Sequence, residues 1–437
     1  MEWIVILGIV VLIAFLLLGV PVFYSFAAGS MFILLAAGID SGYMLPTAYG
    51  KLTSVVLLSI PMFIMAGGIM AKGKLGGALI DFVELFLGRI KGCLGLVVVV
   101  ASGIFGSISG SGAATMSCVG SILAPRMKES GYPVHITAAI LCCSATLGLL
   151  IPPSITQILY AWTAMQSVLA CFLAIVAPGI LMVILLCIGS YILLRKCPDI
   201  KQNPKLTTKE WGKNAGRKTT TAVPALLMPF IILGGIYGGF MTPTEAAAIS
   251  VFYAVPVCIF IYRGIRMKDV KKILVETATD TGVIMIMIAF AMMLSSVLTR
   301  ENIPQAICNA MLSVSDNPIV ILILINLFMI MLGMIMDDTS ATLLCATMMM
   351  PIVHTIGMSP IQFAAILGVN LGMGCITPPS APFLYLASRI CKCPVNRMMK
   401  PVIFLLLFAY IPVLIVTTYV PQFSLFLPQT LMGLELY

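Results

Sequence analysis

The run from Val168 to Leu194 contains no charged side chain. A helix through the roughly 30 Å hydrocarbon core of a bilayer needs about 20 such residues. In lipid a backbone must also satisfy its own N–H and C=O groups, which leaves this stretch little choice but helix. Further apolar runs make the same demand. Those at 3–20, 22–40, 52–71, 135–162, 168–194, 220–241, 244–262, 274–298, 361–388 and 401–420 predict ten crossings. Charged residues are 9% of the 437 and mean hydropathy is +1.11, against about 25% charged in soluble domains. The fold class expected is an all-α polytopic membrane protein, with the lipid bilayer as its medium.

Two apolar stretches, 92–126 and 318–356, are too long for one crossing and interrupted midway. They are expected to be re-entrant hairpins, entering and leaving on one side. The positive-inside rule then sets the orientation. With the loop 195–218 in the cytoplasm, all of the 25 Lys and Arg fall on that side except Lys51 and Arg300. Both termini then face outward. The N-terminus lacks the basic region and cleavage site of a signal peptide and reads as the first span. The net charge of +9 belongs to short loops and is no footprint for nucleic acid. Thirteen cysteines lie in apolar segments without metal-ligand spacing, so neither disulfides nor a transition-metal site is expected.

The chain also repeats itself. Shifted by 226, residues 125–161 meet 351–387 without a gap, matching Pro125 with Pro351, Gly148 with Gly374, and the Pro-Pro-Ser triplets 152–154 and 378–380. With one gap, "SGAATMSC" (111–118) meets "DTSATLLC" (338–345). The two halves, 1–218 and 219–437, each hold five spans and one hairpin. Five is odd, so the second half runs through the membrane upside down relative to the first. Such inverted-topology repeats recur in secondary transporters. Residues 72–91, with Asp81 and Glu84 on one side, read as an amphipathic interfacial helix, and their mate lies near 299–317.

A proline pair removes backbone donors and breaks a helix, and irregular backbone at membrane depth survives only where it is buried or lines a cavity. Four such places arise: the tips "GSISGSGAAT" (106–115) and "GMIMDDTSAT" (333–342), and the two Pro-Pro breaks. Their ligand inventory is oxygen: Ser107, Ser109, Ser111, Thr115, Ser144 and Ser154 in the first half, and Asp337, Asp338, Thr339, Ser340, Asn370, Thr377 and Ser380 in the second. Hard oxygen donors point to Na⁺ or H⁺. Asp337 and Asp338 are read as the only acids at membrane depth, functional candidates for that reason, although an aspartate there can equally cap a helix. No Lys or Arg sits at that depth, so an anion must rely on helix N-termini and hydroxyls. "GIMAKGKL" (68–75) fails as a phosphate loop because Leu75 stands where Ser or Thr belongs. "TPTEAAA" (242–248) fits a capping box with Thr242 as the cap and Glu245 closing it. His135 and His354 sit in short turns without an assigned role. No nucleophile–base set appears, so no enzyme is expected.

"GSISGSGAAT", "GLLIPPSI", "GGFMTPTEAAA" and "TPPSAP", in this order, closely resemble the large membrane subunit of TRAP (tripartite ATP-independent periplasmic) transporters, over essentially the whole chain. The resemblance implies Na⁺-driven import of an organic acid, such as a C4-dicarboxylate or sialic acid, across the bacterial inner membrane. It implies two partners, a small four-span membrane subunit and a periplasmic substrate-binding protein, and an elevator-type mechanism. Carried over by motif, the Na⁺ ligands lie among Ser107, Ser109, Gly110, Ser111 and Thr115 in the first half. In the second they lie among Asp337, Asp338, Gly374, Thr377 and Pro378. Substrate contacts are expected among Pro152, Pro153, Ser154, Asn370, Pro379 and Ser380. One departure is that Ser380-Ala381 stands where the family pattern has Val-Gly. The alternative reading is a one-component Na⁺/carboxylate symporter of similar architecture.

Overall fold

A computed structural model describes residues 2–38, 42, 44–88, 92–195, 197, 200, 208–315 and 317–433. Among the described residues all regular structure is helical. The chain opens with α1 (Glu2–Leu17) packed on α2 (Val22–Ala37), then a short α3 (Met44–Leu52) and α4 (Ser59–Lys72). A brief turn leads to α5 (Leu75–Leu87). The first hairpin is α6 (Cys93–Ser109) and α7 (Gly112–Glu129). The first broken span comprises α8 (Val134–Ala145), α9 (Leu147–Leu150) and α10 (Ile155–Thr163), and α11 (Val168–Leu194) follows. Then come α12 (Thr208–Tyr237), α13 (Pro243–Pro256), α14 (Met267–Arg300) and α15 (Ile303–Val314). The second hairpin is α16 (Pro318–Ile335) and α17 (Asp338–Thr355), and the second broken span is α18 (Pro360–Gly374) and α19 (Pro382–Cys391). Finally α20 (Val395–Leu405) runs through a π-helical turn into α21 (Ile411–Tyr419), ahead of α22 (Pro421–Met432).

Among the described residues, seven helical segments are long and apolar enough to cross a membrane, and up to eight if the first broken span, bent by 42°, counts as one. Of the ten expected crossings, α1 and α2 at 16 residues each and the broken pair α18–α19 fall short of that measure. At 1.5 Å per residue, 16 residues span about 24 Å. Conversely α16, expected as a hairpin arm, is long enough on its own. Residues 39–40 of the second expected span, 89–91 of the expected interfacial helix and 196, 198–199 and 201–207 of the basic loop 195–218 lie outside the described residues.

α1–α4 pack with one another and with α13 and α14, and the hairpins, broken spans, α11 and α20–α22 pack with one another; α5 on α6, α4 on the first hairpin, and α14 and α15 on α17 join the two groups. α11, the charge-free run, is central to the second group: it touches α6, α18 and α22. The capping box at α13 is formed as its sequence requires. Thr242 Oγ1 accepts from Glu245 N at 3.3 Å, and Thr242 N donates to Glu245 Oε2 at 2.7 Å. The acidic face of α5 is spent on Arg126 of α7, 2.7 Å from Asp81 and 3.7 Å from Glu84. Lys72, ending α4, pairs with Glu276 of α14.

Candidate functional site

The first tip turns at Gly110, whose φ of +61° favours glycine. A Cβ there would also stand 2.8 Å from the Pro153 carbonyl oxygen. Ser111 caps α7, accepting from Ala114 N at 3.5 Å. Around this turn three oxygens converge: Ser109 Oγ lies 3.1 Å from Thr115 Oγ1, Thr115 Oγ1 donates to Ser111 O at 2.8 Å, and Ser109 Oγ to the same carbonyl at 3.3 Å. Ser107 faces away from this group and donates to Ile104 O at 2.7 Å.

The first break is docked on that tip. Ile155 N, opening α10, donates to Gly110 O at 3.1 Å. Pro152, Pro153 and Ser154 are buried, and Ser154 Oγ lies 2.8 Å from Thr156 Oγ1. Glycines allow the approach: a Cβ on Gly106 would reach Gly148 Cα at 2.8 Å. The second half repeats this contact, since a Cβ on Gly374 would meet Gly333 Cα at 2.6 Å. The Pro152–Pro153 and Pro378–Pro379 bonds are both cis. Beyond that the halves diverge. Ser380 N and Oγ both donate to Met334 O, at 3.0 and 2.5 Å, and Pro378, Pro379 and Ser380 are exposed. Thr377 Oγ1 donates back to Met373 O at 2.8 Å.

The second tip begins α17 with Asp337 as its cap. Its Oδ2 accepts from Thr339 N and Ser340 N at 3.1 and 3.2 Å, and its Oδ1 from Ser340 Oγ at 2.5 Å. Asp337 therefore serves as the helix cap weighed in the sequence reading, while Asp338 lines a cavity of about 500 Å³. That cavity joins the two tips: Ser109, Gly110 and Ser111 face Asp338 and Thr339 across it. Gly67 and Gly68 of α4 form another wall, with Gly67 close against Ser109. Ile155 is the contribution of the first break.

Other expected residues are placed outside this cavity, Ser107, Thr115, Ser144 and Asp337 among them. Pro152, Pro153, Ser154 and Gly374 pack against the tips, whereas Pro378–Ser380 are exposed, with Ser380 bonded to Met334 O. Asn370 is fully buried and donates to Asn326 Oδ1 of α16 at 2.8 Å and to Ile366 O at 2.9 Å. Asp280 of α14 was overlooked and does line the cavity. It corrects the reading of Asp337 and Asp338 as the only acids at depth. The signal was present, because Asp280 falls inside the apolar run 274–298.

Described residues that are helical throughout their regular structure, with apolar spans and two hairpin tips meeting at one cavity beside a broken helix, define a multi-pass membrane protein built to move a solute. Residues 9–423 match the family described as the tripartite ATP-independent periplasmic transporter, DctM component, and the chain belongs to that family of transporter permeases. It is 37% identical over 377 residues to the C4-dicarboxylate TRAP transporter large permease protein DctM of Pseudomonas aeruginosa, covering 86% of each chain. It is 31% identical to the sialic acid TRAP transporter large permease protein SiaM of Vibrio cholerae, covering 95% of this chain and 96% of that one. Among solved structures, the YdaH transporter of Alcanivorax borkumensis, with an unusual topology, shares the fold at a TM-score of 0.61 and 14% identity, over 87% and 90% of the two chains.

Proposed function

We propose that the protein is the large permease subunit of a Na⁺-driven tripartite transporter importing an organic acid across the bacterial inner membrane. A periplasmic binding protein would deliver the acid, and a small four-span subunit would be the membrane partner. The observation that carries this reading is the shared cavity, into which both hairpin tips present oxygen donors. The donor set suits Na⁺: Ser109, Ser111, Asp338 and Thr339 line the cavity and offer hard oxygen ligands, with Thr115 Oγ1 buried behind them 3.1 Å from Ser109 Oγ. Na⁺ held there would supply positive charge where the organic acid needs it. Relatives named for C4-dicarboxylates and sialic acid support a carboxylate as the solute.

The mechanism proposed is an elevator, in which the hairpins, broken spans and α11 move against α1–α4 and α12–α14, sliding at the contacts of α4 and α5 with the first hairpin and of α14 with α17. An inverted repeat with both termini outside completes the proposal. The test is uptake into proteoliposomes holding this chain and its small subunit, with binding protein and succinate or sialic acid outside. Uptake should require an inward Na⁺ gradient and all three components. Uptake by this chain alone would establish a one-component symporter instead, and uptake indifferent to replacing Na⁺ by K⁺ would remove the coupling ion from the proposal.

A further inference from the structure

A second cavity, of about 280 Å³, lies on the same helices as the first. α14 lines the tip cavity with Asp280, Val283 and Ile284 and this one with Met292, Ser295, Ser296 and Thr299. Along the axis these sets are roughly 20 Å apart. α17 gives Asp338 and Thr339 to the first and Thr347 to the second. α10 gives Ile155 to the first and Trp162 and Thr163 to the second. Three helices thus run between the two cavities. What separates them is packed side chain, including buried Ile288 and Ala291 of α14 and buried Leu343 of α17. A solute passing from one cavity to the other would follow these three helices past those side chains.

The two cavities have opposite charge. The tip cavity has Asp280 and Asp338 as its ionisable linings, whereas the second has Lys51 alone. Lys51 Nζ lies 5.9 Å from the ring centroid of Trp162, a cation–π placement that holds the ammonium over an apolar face. The remaining lining is rich in hydroxyls. Thr347 Oγ1 donates to the carbonyls of Leu343 and Leu344 and retains lone pairs. A cation on an aromatic platform, ringed by hydroxyls, is the chemistry of a site for a small hydroxylated or carboxylated anion. The volume is at the lower edge for ligand pockets.

We propose that this pocket is a receiving subsite for the organic acid on the outer side, occupied before the solute reaches the hairpin tips. Lys51 pairs with the carboxylate and Trp162 covers the carbon skeleton. This rests on the proposed transport of an organic acid and on the orientation that puts Lys51 outside. It explains why a chain with so few basic residues on that face keeps one beside a tryptophan.

The test uses the full chain with its small subunit in lipid. The sequence has three tryptophans, Trp3, Trp162 and Trp211, so Trp3→Phe with Trp211→Phe, together with Phe in place of every tryptophan of the small subunit, leaves Trp162 as the sole reporter. Succinate, isethionate and sialic acid are titrated at constant ionic strength, with chloride as control. At least one acid should change Trp162 emission saturably. Lys51→Gln should raise its half-saturation about tenfold or more, as loss of a charge-assisted hydrogen bond implies, and Lys51→Arg should largely restore it. In uptake, Lys51→Gln should raise KM by a similar factor and leave the saturating rate unchanged. Emission silent to all three acids, equal to that with chloride, or identical in Lys51→Gln overturns the subsite. Absence of carboxylate uptake by the unmodified complex would instead count against the transport reading, since the fluorescence titration is scored without transport.

Discussion

Two aspartates adjacent in sequence are separated by what their carboxylates touch. Asp337 accepts three hydrogen bonds within its own helix start, while Asp338 lines the cavity between the tips. Asn caps a helix about as well as Asp, whereas Ala removes the acceptor at about 1 kcal/mol. Asp337→Ala should therefore lower thermal stability by about that amount and Asp337→Asn by a few tenths, both measured by melting in detergent. Asp338→Asn should melt like the parent but need more Na⁺ for half-maximal uptake. Unchanged Na⁺ dependence in Asp338→Asn would take Asp338 out of the cation site. Gly374 makes a second residue-scale prediction. A methyl group there would meet Gly333 Cα at 2.6 Å, and backbone cannot yield as a side-chain end can. Gly374→Ala should cost about 1–3 kcal/mol by overpacking, visible as a lowered melting temperature, and Gly77→Ala, with open space around it, should not.

At the scale of elements, the helix interruptions at both tips and both Pro-Pro breaks are legible because their signals are local. Small residues and a cap interrupt an apolar run at 106–115 and 333–342, and Pro-Pro interrupts a span twice. The difference between the breaks was not legible. Pro152–Ser154 are buried against a tip carbonyl, whereas Pro378–Ser380 are exposed and held to Met334. That difference arises from which carbonyl of the hairpin each break reaches, a matter of packing that pattern alone does not encode. Asp280 was missed for a related reason, since its run reads as an ordinary span and only α4 and the tips give it a cavity to face. The same scale limits what one ion pair can do. Arg126 joins α7 to Asp81 and Glu84 of α5, but its side chain and that of Asp81 are each 40% exposed. Arg126→Gln should shift stability by no more than about 1 kcal/mol, read from the same melting curves. A larger loss would make this contact a principal tie between α5 and the first hairpin.

For the whole molecule, the inverted repeat turns on parity. From the basic loop 195–218 to the C-terminus the proposed crossings are α12, α13, α14, α18–α19 and α20–α21, an odd number, so the C-terminus lies opposite that loop. α1 and α2 come before the loop and cannot alter this result. Nor can the second hairpin, which returns to its own side whether its arms cross fully or not. The outcome depends on α18–α19, whose 15 and 10 residues are separated by the exposed Pro-Pro break. Neither piece alone reaches across a 30 Å hydrocarbon core at 1.5 Å per residue, so crossing requires the break itself to sit within the membrane, sheltered by Met334 of the hairpin. Alkaline phosphatase, active only outside the cytoplasm, should be active when fused after Tyr437 and inactive when inserted after Lys201, with green fluorescent protein giving the reverse. Both reporters on one side would mean that α18–α19 turns back at its prolines, leaving the second half with an even number of crossings and no inverted symmetry with the first.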